Sequence, residues 1–167
     1  MGKYGKYTGN ETPLPERTFC QVLRQVLKGY ETRYHSDCSG ITYVEGILSH
    51  YEFASMEYIV QFDEPYKMLT IHNVRVVKEF RRAGMATEMC QILEETARRC
   101  NIKISTVPNM LIHTSAVKFW NRMGYKPKYK EDNIWINRVL NSPVDIDLND
   151  EYHEAIGGEG IVVVKVI

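Results

Sequence analysis

The chain has 167 residues, 44% of them apolar and 25% charged, so it is long enough for one domain with an ordinary hydrophobic core. Its 21 basic and 21 acidic residues cancel, and this balance argues against a broad basic surface for nucleic acid. No apolar run is long enough to cross a bilayer and no signal peptide is visible, which argues against a membrane protein.

The cysteines and histidines indicate a reduced chain without a metal. The four cysteines are widely spaced and form no CxxC pair, so a cytoplasmic location is the simplest account. The five histidines form neither an HxxxH motif nor a cluster with cysteine, and we therefore predict no metal site.

The first half of the chain is predicted to hold one helix and then an antiparallel run of strands. Residues 1–13 are rich in Gly, Lys and Tyr and lack periodicity, which favours a loose tail. Apolar residues recur at helical spacing in residues 14–34 and predict an amphipathic helix, with a turn to follow at 37–40. Strands are then predicted at residues 41–49, 56–62 and 67–76.

The stretch from Val74 to Cys100 changes its period in the middle. Val74 and Val76 alternate with a polar residue, as at the end of a strand, whereas apolar residues recur at helical spacing from Met85 onward. Between them lies a basic, glycine-containing turn. A helix N-terminus presents unpaired N–H groups and favours negative charge, so the stretch predicts an anion site. The alternative is a plain surface turn with solvated arginines.

The second half is predicted to add a parallel strand, a helix and a closing hairpin. The strand at 102–107 follows a helix, so its pairing is expected to be parallel. The next helix is capped by His113 or Thr114 and stopped by Gly124. The remaining expectations are a loop at 108–111 and a hairpin formed by residues 125–130 and 133–140.

The final segment ends in a strongly β-prone run, IVVVKVI, at residues 161–167. Such a run must be paired or covered to avoid aggregation. We expect it to add a strand either to its own sheet or to a second copy of the chain in a homodimer.

Two blocks of the sequence carry a family likeness. The first, residues 76–86, contains Arg81, Gly84 and Ala86; the second, residues 116–125, reads AVKFWNRMGY. In this order and at this spacing they resemble the Arg/Gln-x-x-Gly-x-Gly/Ala signature and the Ala-x-x-Phe-Tyr-x-x-x-Gly-Phe helix of the GNAT superfamily of N-acetyltransferases.

The resemblance, which runs from about residue 55 to 140, implies an α/β fold. Its core is a twisted, mostly antiparallel sheet of six or seven strands with helices on both faces, split between the fourth and fifth strands near Val76. The domains expected are a loose tail at 1–13, an N-acetyltransferase domain at 14–140 and a C-terminal extension with a terminal strand at 141–167.

The resemblance also implies acetyl-coenzyme A as co-substrate. Its pantetheine arm is expected to lie along the backbone of the signature strand, and its pyrophosphate on the turn and the first helical turn. The residues expected to bind it are Val74, Val76, Arg81, Arg82, Gly84, Met85, Ala86 and Thr87.

An amine acceptor needs a base, because only about one lysine-like amine in 2,500 is unprotonated at pH 7. Some relatives use a histidine at the place of His72 in a water-linked relay; the alternative is a histidine that hydrogen-bonds across the sheet. His72 shares a face with Val74 and Val76 if pairing is regular, and a bulge would change that parity. Glu57 and Glu79 are weaker base candidates.

The sequence departs from the family at Trp120, where relatives carry a tyrosine that often protonates the departing thiolate. Indole donates a hydrogen bond but is no acid at neutral pH. Tyr125 and His113 are the nearby substitutes, with Tyr125 as the catalytic candidate. A thiol of pKa about 8.5 is also a fair leaving group without help.

We therefore expect an N-acetyltransferase that moves an acetyl group from acetyl-coenzyme A to a primary amine by direct transfer in a ternary complex. The acceptor is a small molecule or a protein. The alternative is a degenerate GNAT-fold protein that binds coenzyme A or a protein partner without turnover. Zero net charge disfavours a modifier of nucleic acid.

Overall fold

The computed structural model describes residues 15–27, 29–34, 43–63, 65, 67–81 and 83–167. The predicted tail at 1–13 and the predicted turn at 37–40 lie outside these residues. In chain order the elements are α1 (Pro15–Val26), β1 (Glu31–Tyr34), β2 (Tyr43–His50), β3 (Ala54–Gln61), β4 (Met68–Val76), α2 (Met85–Arg99), β5 (Ile104–Met110), α3 (Thr114–Arg122), β6 (Lys126–Pro127), α4 (Asn133–Leu140), α5 (Asn149–Ile156) and β7 (Ile161–Val166).

The seven strands follow the order β1-β2-β3-β4-β5-β7-β6. The neighbours β1–β2, β2–β3, β3–β4 and β6–β7 are antiparallel, and the pair β4–β5 in the middle is parallel. This confirms the α/β class, the seven-stranded and mostly antiparallel sheet, and the parallel pairing after α2. The split beside Val76 stays a prediction.

The chain forms two compact units, one of the described residues up to Ser105 together with Ile167, the other of residues 106–166. The domain boundary predicted at residue 140 stays a prediction. In the first unit, side chains on one face of β2, β3 and β4 are buried and pack against α1 and α2. The fully buried members of this core include Phe19, Leu48, Met56, Tyr58, Leu69, Ile71, Met89 and Leu93.

The helix predicted over 14–34 was too long. The structure ends α1 at Val26, and Gly29 adopts a left-handed conformation with φ of 79°, which breaks the helix. Residues 31–34 form β1 and pair with β2. Tyr30 fits the helical period but lies outside the helix, and its side chain is buried next to the His50 ring.

Strand β4 contains a bulge at Asn73. Ser55 pairs with Arg75 and Glu57 with His72, so β4 contributes two residues between these pairs where β3 contributes one. The pairing is therefore irregular, and the parity of β4 changes at this point. Val76 lies on the buried face of the sheet, whereas His72 lies on the opposite face together with Glu57.

In the second unit, β7 lies between β5 and β6. Its residues Val163 and Val164 pair with β6, and the Thr106 hydroxyl of β5 donates to the Val163 carbonyl oxygen at 3.1 Å. Of the two expectations for the C-terminal run, the structure shows the strand within its own sheet.

The closing hairpin predicted at 125–130 and 133–140 was wrong. Only Lys126–Pro127 is a strand, and residues 133–140 form α4. Ile136 and Val139 are buried while Ile134 is 63% exposed, which is helical rather than alternating burial. The loop predicted at 108–111 was also wrong over most of its length, because β5 continues to Met110.

Candidate functional site

The turn between β4 and α2 is anchored by aromatic side chains. After Val76 the chain forms a single turn of 3-10 helix at Lys78–Phe80. The Phe80 ring stacks on Phe53 with 4.2 Å between ring centroids, and the Val77 amide donates to the Phe53 carbonyl oxygen at 2.8 Å. These contacts fix the path of the chain into α2.

Gly84 precedes α2 in a left-handed conformation, with φ of 83°. A Cβ atom there would meet no heavy atom within 4 Å, so the space above Gly84 is open. The Glu88 amide donates to the Gly84 carbonyl oxygen at 2.9 Å, whereas the amides of Met85, Ala86 and Thr87 have no acceptor in the part of the chain that the structure describes. These N–H groups and the helix dipole can bind an anion.

Two arginines precede this helix start and add positive charge to the predicted anion site. The exposed Arg81 donates from Nε to the Val76 carbonyl oxygen at 3.0 Å, which ties the turn to the end of β4. Arg82 lies outside the described residues, so its contact with the anion stays a prediction. Val74 and Val76 are half-buried on the strand that leads into the turn.

An acidic side chain that the sequence analysis missed lies on the first turn of α2. The Tyr30 hydroxyl donates to Glu88 Oε2 at 3.3 Å. Burial, reinforced by this carboxylate, raises the pKa of Tyr30 to about 12. The tyrosine therefore stays protonated at neutral pH and restrains the Glu88 carboxylate next to the predicted anion site.

A second group of polar side chains lies on the face of the sheet that α1 and α2 do not cover. His72 Nδ1 on β4 is 3.7 Å from Glu57 Oε2 on β3. The Asn73 side-chain amide donates to the same Glu57 oxygen, and its Nδ2 is 3.3 Å from His72 Nδ1. The side chain of His72 is 35% exposed and that of Glu57 is 24% exposed, so a ligand can reach this cluster.

The cluster forms part of a pocket of about 290 Å³. Glu45 on β2 adds a second carboxylate, diagonal to Glu57 in the register of β2 and β3. The pocket is lined by Glu45, Gly46, Glu57, Tyr58, Ile59, His72 and Asn73. With two carboxylates and no lysine or arginine among these residues, the pocket suits a cation.

The sequence analysis named Glu57 and His72 but missed Asn73 and Glu45. Asparagine is depleted in strands and tolerates the left-handed conformation, so its place inside a predicted strand was the available signal for Asn73. Nothing in the sequence distinguished Glu45 from other strand carboxylates, because its neighbours are set by the register of three strands.

The remaining predicted residues belong to the second unit. His113 caps α3, since its Nδ1 accepts from the Ala116 amide at 3.3 Å; this decides between His113 and Thr114. Trp120 is buried and packs edge to face on Tyr125, with 4.9 Å between ring centroids. Tyr125 is only 2% exposed. The structure thus places Trp120 and Tyr125 in the packing of this unit.

The described residues contain neither a metal-binding cluster nor a membrane-spanning helix. No group of three or more His, Cys, Asp and Glu side chains there is arranged to hold a metal ion. Within the same residues, no helix combines the length and the apolar character that crossing a membrane requires.

Residues 19–125 match the family model of the acetyltransferase (GNAT) family. No curated protein sequence matches the chain.

Several solved structures are similar to this chain at low sequence identity. One is a GNAT family acetyltransferase from Elizabethkingia anophelis with acetyl-CoA bound, with 10% identity, 84% of this chain and 100% of that chain covered, and a TM-score of 0.49. Another is Arabidopsis thaliana Naa50 in complex with the bisubstrate analogue CoA-Ac-MVNAL, with 14% identity, coverage of 74% and 72%, and a TM-score of 0.45. A third is a GNAT family acetyltransferase from Staphylococcus aureus Mu50, with 12% identity, coverage of 74% and 67%, and a TM-score of 0.47. These structures are too distant to assign a ligand to this chain.

Proposed function

Because the chain belongs to the GNAT family of acetyltransferases, we propose that it transfers an acetyl group from acetyl-coenzyme A to a primary amine by direct attack in a ternary complex. The observation that carries this proposal is the open helix start at Gly84, where three successive amides find no acceptor in the described chain. The cysteine pattern supports a cytoplasmic location for the reaction.

The cofactor is proposed to bind along the end of β4 and at the start of α2. The backbone of Val74 and Val76 would hold the pantetheine arm. The amides of residues 84–87, with the charges of Arg81 and Arg82, would hold the pyrophosphate. The thioester carbonyl gains reactivity when backbone N–H groups polarise it, and holding both reactants together supplies much of the rate enhancement.

The acceptor amine is proposed to bind in the pocket beside His72. It arrives as an ammonium ion, which the carboxylates of Glu45 and Glu57 attract. His72 takes a proton from it, and the amine lone pair then attacks the thioester carbonyl. Peptide amines, small amines and protein lysines all fit this chemistry.

Departure of the thiolate needs no dedicated acid, since a thiol of pKa about 8.5 is stable enough as its anion. Tyr125 stays a prediction as proton donor, and its burial among aromatic side chains disfavours that role. The presence of Trp120 supports the alternative proposal, a GNAT-fold protein that binds coenzyme A or a protein partner without turnover.

The test combines calorimetry with acetyl-coenzyme A and an assay of free thiol release over a panel of amines. The variant Gly84→Glu puts a side chain and a negative charge at the open helix start, so we expect at least a hundredfold loss of affinity for the cofactor, or about 2.7 kcal/mol. Gly157→Glu is the matched control, because Gly157 has φ of 84° and equally open surroundings at the end of α5.

Equal binding by wild type and Gly84→Glu would remove the proposed cofactor site. Binding by wild type without thiol release from any amine would favour the non-catalytic alternative. Absence of both binding and release would overturn the proposed acetyl transfer and would leave binding of a protein partner as the alternative.

A further inference from the structure

Asn73 adopts a conformation that most residue types avoid. Its φ is 50°, in the left-handed region that asparagine tolerates better than branched or bulky residues. It forms the bulge of β4, opposite Met56, and directly follows His72. The bulge turns the Asn73 side chain toward Glu57 and His72 on the uncovered face of the sheet.

The contacts of this amide determine which nitrogen of His72 carries the proton. A carboxylate only accepts hydrogen bonds, so the Asn73 atom that meets Glu57 Oε2 is the donor Nδ2. The same Nδ2 lies 3.3 Å from His72 Nδ1 and has a second proton to give. A hydrogen bond between these two atoms requires His72 Nδ1 to accept, which places the proton of the neutral imidazole on Nε2. At 3.7 Å, Glu57 Oε2 is too far from Nδ1 for a hydrogen bond that would favour the other tautomer.

We propose that Asn73 is a positioning residue, whose amide keeps Nδ1 of His72 unprotonated so that Nδ1 is the atom that takes the proton of the acceptor amine. This role rests on the proposed function for its chemical step. The tautomer on which it depends can be measured without any reaction.

In that step an N–H bond of the ammonium ion breaks and an N–H bond forms at Nδ1, directly or through one water. The amine keeps the electron pair with which it attacks the thioester. His72 becomes an imidazolium with a proton on each nitrogen, and the Asn73 amide releases Nδ1 while it keeps its bond to Glu57. The Glu57 carboxylate, 3.7 Å away, stabilises the new positive charge.

The direct test is the nitrogen-15 NMR spectrum of the His72 side chain in the full chain, at a pH where the ring is neutral. We expect the pattern of an unprotonated Nδ1 and a protonated Nε2. Asn73→Gly keeps the left-handed backbone and removes the amide, so both tautomers should appear. Asn73→Asp keeps the size of the side chain but replaces the donor by an acceptor and gives up the bond to Glu57, so the proton should move to Nδ1.

The kinetic test separates positioning from binding. We expect about a tenfold lower kcat in Asn73→Gly, a fraction of what general base catalysis contributes, with an unchanged KM for acetyl-coenzyme A. Asn101→Gly is the matched control, since Asn101 is exposed after α2 and also left-handed, with φ of 63°. It should change neither the His72 spectrum nor kcat.

A proton on Nδ1 in the wild type would overturn the inference, as would a His72 spectrum that stays the same in Asn73→Gly and in Asn73→Asp. If Asn73→Gly does not fold, Asn73→Asp alone decides through its opposite expected tautomer. A wild type with the expected tautomer that acetylates no amine would overturn the proposed function and, with it, the catalytic use of Nδ1.

Discussion

The two faces of the sheet in the first unit differ sharply in what they carry. One face is apolar and sealed by α1 and α2, with Met56, Tyr58 and Ile71 at most 1% exposed. The other carries Glu57 and His72, which are one quarter and one third exposed. Since successive residues of a strand point to opposite faces, the same strands supply the core and the pocket.

The bulge at Asn73 reverses the alternation of β4, so that residues two or four apart across it point to opposite faces. On the near side of it, His72 points to the uncovered face. On the far side, Val76 has returned to the covered face and leads into the turn that starts α2. Because of this extra residue, β4 places His72 in the pocket and Val76 on the covered face before the turn. Residues of the pocket and residues of the core thus lie within the nine residues of one strand.

The largest expected effect is a loss of stability when a side chain on the covered face is truncated. Ile71→Ala removes a fully buried side chain and should cost about 3 kcal/mol of unfolding free energy through lost burial and a cavity. Ile59→Ala removes the same side chain from the uncovered face, where Ile59 is half-buried, and should cost less, about 1 kcal/mol. Urea unfolding of both variants, with the m-value as a check on the unfolded state, measures the difference.

Equal losses in the two isoleucine variants would show that both faces are sealed in solution. That result would also close the pocket beside His72 to an acceptor. The pair of residues is well matched, because Ile59 and Ile71 lie on neighbouring strands one register position apart.

The strand–turn–helix segment was predictable because each local signal agreed with the tertiary structure. The alternation ending at Val76, the glycine at Gly84 and the helical period from Met85 onward all indicate a strand, a turn and a helix, and α2 does begin at Met85. The prediction of an anion site follows from that order of elements. The register at Asn73 could not be predicted, since it depends on how β3 pairs with β4.

The failures arose where a pattern was compatible with two structures. Ile134 and Ile136 alternate as in a strand, yet Ile136 and Val139 also fit a helix, and packing in the second unit selects the helix. Residues 31–34 continue an apparent helical period, but Gly29 breaks the helix and β2 supplies a pairing partner. In both cases a contact distant in sequence decides between the alternatives.

The second prediction concerns the uncovered face and the KM for amine acceptors. Glu45→Gln removes one of the two carboxylates of the pocket without changing its shape. We expect the KM for amine acceptors to rise about three- to tenfold, with little change in kcat, because the lost attraction is that of a partly solvated ion pair. Steady-state kinetics measure this, with Glu154→Gln on exposed α5 as the control. An unchanged KM would place the acceptor outside the pocket.

The last prediction tests whether solvent reaches the C-terminal end of α2, at Cys100. Burial, together with nearby Cys20 and against the charge of Lys67, raises the pKa of the half-buried Cys100 thiol to about 11. At pH 8 the thiolate is then rare, and although a thiolate of high pKa is more nucleophilic, we expect alkylation about tenfold slower than in the unfolded chain. Mass spectrometry of iodoacetamide-labelled peptides gives the rate, which should climb until about pH 11.

Because the folded pKa is the higher one, this thiol stabilises the fold below its ordinary pKa of about 9 and loses that contribution between pH 9 and 11. A rate equal to that of the unfolded chain would mean that the end of α2 is open to solvent, and that the covered face is less completely sealed at Cys100 than at Ile71.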